Sequence, residues 1–398
     1  MKAAGSTPSV VHVVGAVQAL GIVLLVYALS AMLWTRSTGL MAALFAGSAT
    51  LHLLYARTVV ADNLLCLLTL ASFVAWELAR NRRRWLLLWG LCLGLALLTK
   101  QVLGFLPLIA PLADVLGRRP LPRRPVGLAV ALGLAMVGLW LTIETLSFGS
   151  GFLREHLLLN VWQRAHVPMI ERTTPAFYLR MLVALETPLI LLSLLGMVRL
   201  ILARAFLLPL WGLGCLLVLS LSATRFNYYA LLFYPALACA MAALLDWLSP
   251  ASPRPWIRLG MPWLVLALWV GAHLTQPGVL RPMAPMDPEP GWLAEQMGRQ
   301  SQPDDPLFLV GMNSYSARYY ADRHTIQLVS RRASSKVSTA VLEAERWPVD
   351  DVAATLRAQP RWYAIIRKDQ LSLLRGLEPV RQVAETPSLV LLSGQNPR

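Results

Sequence analysis

Asp62 in Ala61-Asp62-Asn63, Lys100 after Leu97-Leu98-Thr99, and Arg225 before Phe226-Asn227-Tyr228-Tyr229 each stand at the end of an apolar run. An ion in such surroundings is costly, so its retention invites a functional reading. A carboxylate with two fixed cations at one membrane surface suits a lipid phosphate and a group that must lose a proton. The plainer reading of these residues, and of Arg57, is a helix cap or an interface anchor. Glu186 lies several residues inside another run, in Ala184-Leu185-Glu186-Thr187-Pro188. The proline leaves a backbone carbonyl without its partner, so a structural contact at a kink competes there with catalysis.

The 147–177 stretch interleaves Arg154, Glu155, His156, Asn160, Arg164, His166, Glu171 and Arg172 with Phe152, Leu157 and Trp162. This pattern predicts an amphipathic helix lying at the interface. The two histidines read as solvated surface before ligand or base. Signatures of nucleotide-driven pumping and of common hydrolases are missing: no GxxxxGK[ST], HExxH or GxSxG occurs, and Gly149-Ser150-Gly151 lacks a strand–helix setting. The adjacent pairs Asp304-Asp305 and Asp350-Asp351 read as surface charge, so no cofactor is called for and a divalent metal has no support in the sequence.

The elements that must hold these residues are membrane helices. The chain has 398 residues, 56% hydrophobic and 14% charged, with a mean hydropathy of +0.55, which sets it outside the soluble class. Of the net +15, nearly all belongs to residues 1–281, which carry 22 basic and 8 acidic residues against 14 and 13 in the remainder. That distribution fits topology-setting loops and argues against nucleic-acid binding. Cys66, Cys92, Cys215 and Cys239 all lie in apolar runs, with no disulfide or zinc spacing. About ten spans are predicted, near 10–34, 38–56, 62–79, 85–99, 101–116, 125–146, 178–198, 205–222, 226–247 and 259–276. The fourth and fifth are short, as tilted or partly re-entrant segments would be.

Alternate short loops hold Arg36, Arg80, Arg82, Arg83, Arg84, Arg118, Arg119, Arg123, Arg124, Arg199, Arg204, Arg254 and Arg258. By the positive-inside rule these face the cytoplasm. Asp62, Lys100, Arg225, the 147–177 loop and the C-terminal region then share the outer side. Met1 falls outside too, so one further helix is expected upstream of this reading frame. Residues 1–280 are read as a multi-span membrane domain and 281–398 as a soluble α/β extracytoplasmic domain. In the latter, helices are predicted at Trp292–Arg299, Ser316–Arg323, Val337–Arg346 and Asp350–Arg357. Strands are predicted at Pro306–Val310, Thr325–Ser330 and Trp362–Ile366, with one or two more in Val380–Leu392.

The succession Ala56-Arg57-Thr58…Asp62, then Gly94-Leu95-Ala96-Leu97-Leu98-Thr99-Lys100, then Arg225…Tyr229-Ala230…Tyr234-Pro235-Ala236-Leu237 resembles one superfamily over about residues 10–250. It is that of the C-type membrane glycosyltransferases, comprising lipid A aminoarabinose transferases and protein O-mannosyltransferases. The resemblance implies a polytopic helical fold and an activity: a sugar passes, usually with inversion, from a polyprenyl monophosphate to a lipid, glycan or protein acceptor outside the cytoplasmic membrane. It implies a catalytic or orienting role for Asp62 and donor-phosphate binding by Lys100 and Arg225. Asn160 and Arg164 match a loop motif in which relatives often have Glu and Arg, and Arg57, Glu186, Tyr228 and Tyr229 are further candidates for substrate contact. The principal acidic loop and Lys-Pro element of relatives do not precede Val10 here, which coincides with the helix expected from loop charge. The expected partners are a polyprenyl-linked sugar, membrane lipid and an extracytoplasmic acceptor. The rival classes are a transporter, for which polar groups at mid-membrane are expected, and a non-catalytic scaffold.

Overall fold

The computed structural model describes residues 8–56, 58–153, 174–186, 189–222, 225–249, 255–274, 288–312, 317, 320–321, 325–330, 347–349, 351–377 and 380–395. The chain divides into two compact units, Met1–Arg281 and Pro282–Arg398.

The first unit is helical. Its elements are α1 (Pro8–Leu33), α2 (Arg36–Ser48), α3 (Thr50–Tyr55), α4 (Ala61–Ala79), α5 (Trp85–Lys100), a 3-10 segment (Gln101–Leu108), α6 (Ile109–Leu116), α7 (Arg123–Phe148) and α8 (Ser150–Leu153). Then come α9 (Phe177–Glu186), α10 (Leu189–Leu202), α11 (Leu207–Leu221), a 3-10 segment (Asn227–Leu232), α12 (Tyr234–Leu248) and α13 (Pro255–Leu274). Four segments among the described residues are long and apolar enough to cross a membrane: His12–Leu33, Ala61–Ala79, Trp85–Leu116 and Arg123–Phe148. A fifth would join α9 and α10, bent by 116°.

Trp85–Leu116 doubles back on itself. Trp89 Nε1 donates to the Pro107 carbonyl at 3.3 Å, whereas 18 residues of continuous helix would separate them by about 27 Å. The reversal lies at Lys100 (φ −155°, ψ 58°) and Gln101 (φ 20°, ψ −100°), neither of which is helical. Gly104 permits it, because a Cβ there would overlap Leu97 Cα and stand 2.5 Å from the Ala96 carbonyl oxygen. Both atoms are backbone and cannot swing aside. Gly104→Ala is therefore expected to cost about 1–3 kcal/mol through overpacking, read as a lower melting temperature in detergent; an unshifted melt would refute the close packing.

In lipid, helices associate through close backbone approach rather than through expulsion of water. Gly90 and Gly94 of α5 meet Ala129 and Gly133 of α7 in this way, and a Cβ on Gly90 would overlap the Ala129 carbonyl oxygen. Ala129 and Gly133 are the buried residues of α7, with Val126, Val130 and Val137 partly buried against the bundle beside them.

The 38–56 run, predicted as one span, is broken. Ala49 (ψ 135°) separates α2 from α3, and the Thr50 N–H at the start of α3 donates to Glu186 Oε1 at 3.1 Å. A carboxylate at a helix N-terminus satisfies an orphan donor and opposes the positive end of the dipole. No signal within 38–56 marks that break, since its partner lies 136 residues away.

The second unit is an α/β domain: α14 (Pro288–Gly298), β1 (Leu307–Val310), β2 (Thr325–Ser330), β3 (Trp347–Val349), α15 (Val352–Arg357), β4 (Arg361–Arg367), β5 (Val380–Glu385) and β6 (Leu389–Gln395). The sheet order is β3-β2-β1-β4-β6-β5. The first four strands are parallel, and β6 runs antiparallel to both β4 and β5. Both faces are covered: Phe308 and Val310 pack on one side with Val352 and Leu356, Leu307 and Leu309 on the other with Leu293 and Met297. That double burial explains why these strands read as continuous apolar runs. The predicted Val337–Arg346 helix lies outside the described residues, and β3 has no sequence signal beyond three residues.

Candidate active site

The carboxylate is set by the turn into α4. Val60 is extended (φ −116°, ψ 141°) before the helix starts at Ala61, and the Asn63 side chain donates to the Tyr55 carbonyl at 2.9 Å, tying the preceding loop down. This places Asp62 in the first helical turn, where a negative charge is favoured. It is 2% exposed. A buried carboxylate is tolerable only with a partner, and Lys100 Nζ donates to Asp62 Oδ1 at 2.6 Å. The packing of α5 back along α4, after the short turn at 80–84, brings the end of α5, and with it that lysine, to Asp62 from 38 residues away.

The pair is asymmetric. The Asp62 side chain is 3% exposed and that of Lys100 22%, so the positive end faces outward. The ammonium also lies 3.8 Å from the Tyr229 ring centre and 5.9 Å from that of Tyr228, a cation–π arrangement that holds a lysine without neutralising it. Phe226 stacks on Tyr228 at 5.0 Å, while Tyr228 meets Tyr229 and Tyr55 edge-on. The Tyr178 hydroxyl donates to the Phe226 carbonyl at 3.1 Å, anchoring the aromatic segment to α9. Such a group can hold an anion above an aromatic floor, with its orienting carboxylate buried behind.

Of the residues singled out in the sequence, Asp62, Lys100, Tyr228 and Tyr229 come together. Arg225 adjoins this cluster through Phe226, and its Nε and Nη2 donate to the Ser220 carbonyl at 3.0 and 2.8 Å. Glu186 does not join them. It is buried, accepts from Thr50 N and from the Tyr234 hydroxyl at 3.1 Å each, and lines a cavity of about 30 Å³ with Phe45, Ser193 and Trp269. Arg57, Asn160 and Arg164 lie outside the described residues, as do Glu155, His156 and His166. Sequence reasoning missed Tyr55, Asn63 and Tyr178, whose hydrogen bonds and ring contacts carry no local signature. Among the described residues no group of three or more His, Cys, Asp or Glu is placed to hold a metal ion.

The architecture has solved counterparts. The aminoarabinose transferase ArnT from Cupriavidus metallidurans, in its structure bound to undecaprenyl phosphate, superposes with a TM-score of 0.69 over 96% of this chain and 83% of its own, at 14% identity. This is the C-type membrane glycosyltransferase fold. The oligosaccharyltransferase AglB from Archaeoglobus fulgidus, in complex with an inhibitory peptide and a dolichol-phosphate, shares the C-type fold at a TM-score of 0.53 and 13% identity. That match covers 92% of this chain and 59% of AglB. Residues 1–142 match the family model described as dolichyl-phosphate-mannose-protein mannosyltransferase. The matched stretch of the C-type fold includes Asp62 and Lys100 and stops short of Arg225. No curated protein matches the chain in sequence.

Proposed function

We propose that this chain is an integral-membrane glycosyltransferase that moves a sugar from a polyprenyl-phosphate donor to an acceptor outside the cytoplasmic membrane. The observation that carries the reading is the Asp62–Lys100 pair, with its ammonium turned outward above Tyr229. Lys100 binds the donor phosphate and Arg225 contributes a second positive charge. The acceptor oxygen or nitrogen attacks the anomeric carbon opposite the phosphate. The bond between that carbon and the phosphate oxygen breaks, and polyprenyl phosphate leaves with the bonding electrons. The acceptor proton is released to solvent as the new bond forms, and Asp62, already engaged by Lys100, acts as a positioning residue. Charge grows on the leaving phosphate as the bond breaks, so a cation fixed there stabilises the transition state more than the ground state, by about 3 kcal/mol.

The fold supports this reading, as do the lipid phosphates bound by ArnT and AglB. Loop charge orients the Asp62 end and the C-terminal domain outward in a cytoplasmic membrane. The test is protein-dependent release of undecaprenyl phosphate from mannosyl- or aminoarabinosyl-phosphoundecaprenol, using the purified chain in lipid vesicles with a membrane extract as acceptor source. Release above the protein-free rate is expected. No release from either donor, together with no retention of undecaprenyl phosphate by the protein, would overturn the proposal.

A further inference from the structure

The far end of the bundle holds a second polar cavity. Helix α4 runs from Asp62 to its C-terminal neighbour Arg80, which puts the two about 27 Å apart at 1.5 Å per residue, close to the thickness of a bilayer's hydrocarbon core. At the Arg80 end a cavity of about 440 Å³ opens between α1, α4, α6, α10 and α11. This volume falls in the range of small-molecule sites, about 300–1,000 Å³.

Its charges are arranged in two tiers. Arg80 donates through Nε to Glu77 at 2.6 Å and through Nη2 to Asp114 at 2.6 Å, and Trp76 Nε1 donates to the other Asp114 oxygen at 2.8 Å. Both carboxylates are thereby occupied and fixed. Arg119 and Arg204 also line the cavity. Among the described residues nothing accepts a hydrogen bond or forms an ion pair with either guanidinium. Three arginines against two carboxylates leave one positive charge.

The helix ends add to it. α6 and α10 each close with a bond from the residue five positions on, Arg119 N to the Asp114 carbonyl and Ala205 N to the Leu200 carbonyl, both 2.9 Å or shorter. Arg118 and Arg204 take the left-handed position (φ 59° each) that glycine usually fills. These bonds use carbonyl groups that would otherwise repel an anion. α11 begins at the same cavity, with Phe206, Leu207 and Leu208 in its wall and no side chain capping its first turn. A helix N-terminus contributes about half a positive charge.

We infer that this cavity binds a phosphate-bearing head group at the membrane face opposite Lys100. Two guanidinium groups on exposed residues at the cavity wall and a helix N-terminus suit phosphate oxygens, and the apolar part of the wall, which includes Met32, Leu33 and Leu200, suits the first carbons of a lipid. The site is independent of the donor reading, since it shares no residue with it.

The experiment titrates the full chain in detergent with dioleoyl phosphatidic acid and with dioleoyl phosphatidylcholine, following bound lipid by native mass spectrometry. Phosphatidic acid should bind at least about tenfold more tightly than phosphatidylcholine. Arg119→Gln/Arg204→Gln should abolish that preference, while Arg119→Lys/Arg204→Lys, the charge-matched control Arg82→Gln/Arg83→Gln and Lys100→Met should retain it. Displacement by inorganic phosphate would support the site and identify a soluble phosphate ester as the occupant. Failure of phosphate to displace the lipid would support a lipid occupant. An unchanged preference in the Gln variant, or an equal loss in the Arg82/Arg83 control, would overturn the inference.

Discussion

Lys100→Met is expected to lower sugar transfer from a polyprenyl-phosphate donor by about 10²–10³-fold, the range seen when one preorganised donor to a developing anion is removed. The effect follows from position: the ammonium sits above Tyr229 and is anchored by a carboxylate that is itself buried. Methionine keeps the length and apolar stem of lysine, so packing changes little. It does strand Asp62 as an unpaired ion, which typically costs about 3–5 kcal/mol. The companion Asp62→Asn/Lys100→Met removes that cost and should melt closer to the wild type while remaining as inactive. Lys100→Arg should restore part of the rate. Full turnover by the double variant, with its melt restored, would remove Lys100 from the mechanism and make the pair purely structural.

Glu186→Leu should destabilise the helical unit by about 2–4 kcal/mol. It leaves two donors without an acceptor, the half-buried Thr50 N–H and the buried Tyr234 hydroxyl, and a buried orphan costs about 1–3 kcal/mol. Glu186→Gln keeps an acceptor oxygen and should lose less than half as much. Thermal melts in one detergent, with Tyr234→Phe as reference for the hydroxyl alone, decide the matter. A Leu variant as stable as the wild type would show that Glu186 does not hold the α2–α3 break.

Much of the helical unit is legible in the sequence because transfer energy sums over neighbouring residues. The runs that form α1, α4, α5 and α7 announce themselves by length and apolarity. The ends of those runs, where ions first become tolerable, are visible for the same reason, and so Asp62 and Lys100 stand out without any knowledge of packing. What is not legible is how the ends meet. The single 38–56 run becomes two helices because of a carboxylate from α9. The turn at Lys100 is legible as the gap between the 85–99 and 101–116 runs, but the close approach of their backbones at Gly104 is not.

From its amino-acid order alone this protein is a basic-looped, polytopic helical chain with a smaller α/β module, carrying a few conspicuous ions at helix termini. The folded bundle alone decides that Asp62 grips Lys100, that Tyr229 lies beneath the ammonium, that Glu186 caps α3, and that Arg119 and Arg204 converge on one cavity. The division has a physical cause. Partition into a membrane depends on contiguous composition, but lipid tails are as apolar as leucine, so hydrophobicity does not choose which helix faces which. That choice falls to close backbone contacts and to hydrogen bonds between residues 38, 48 or 136 positions apart, and it is written in no local stretch of the chain.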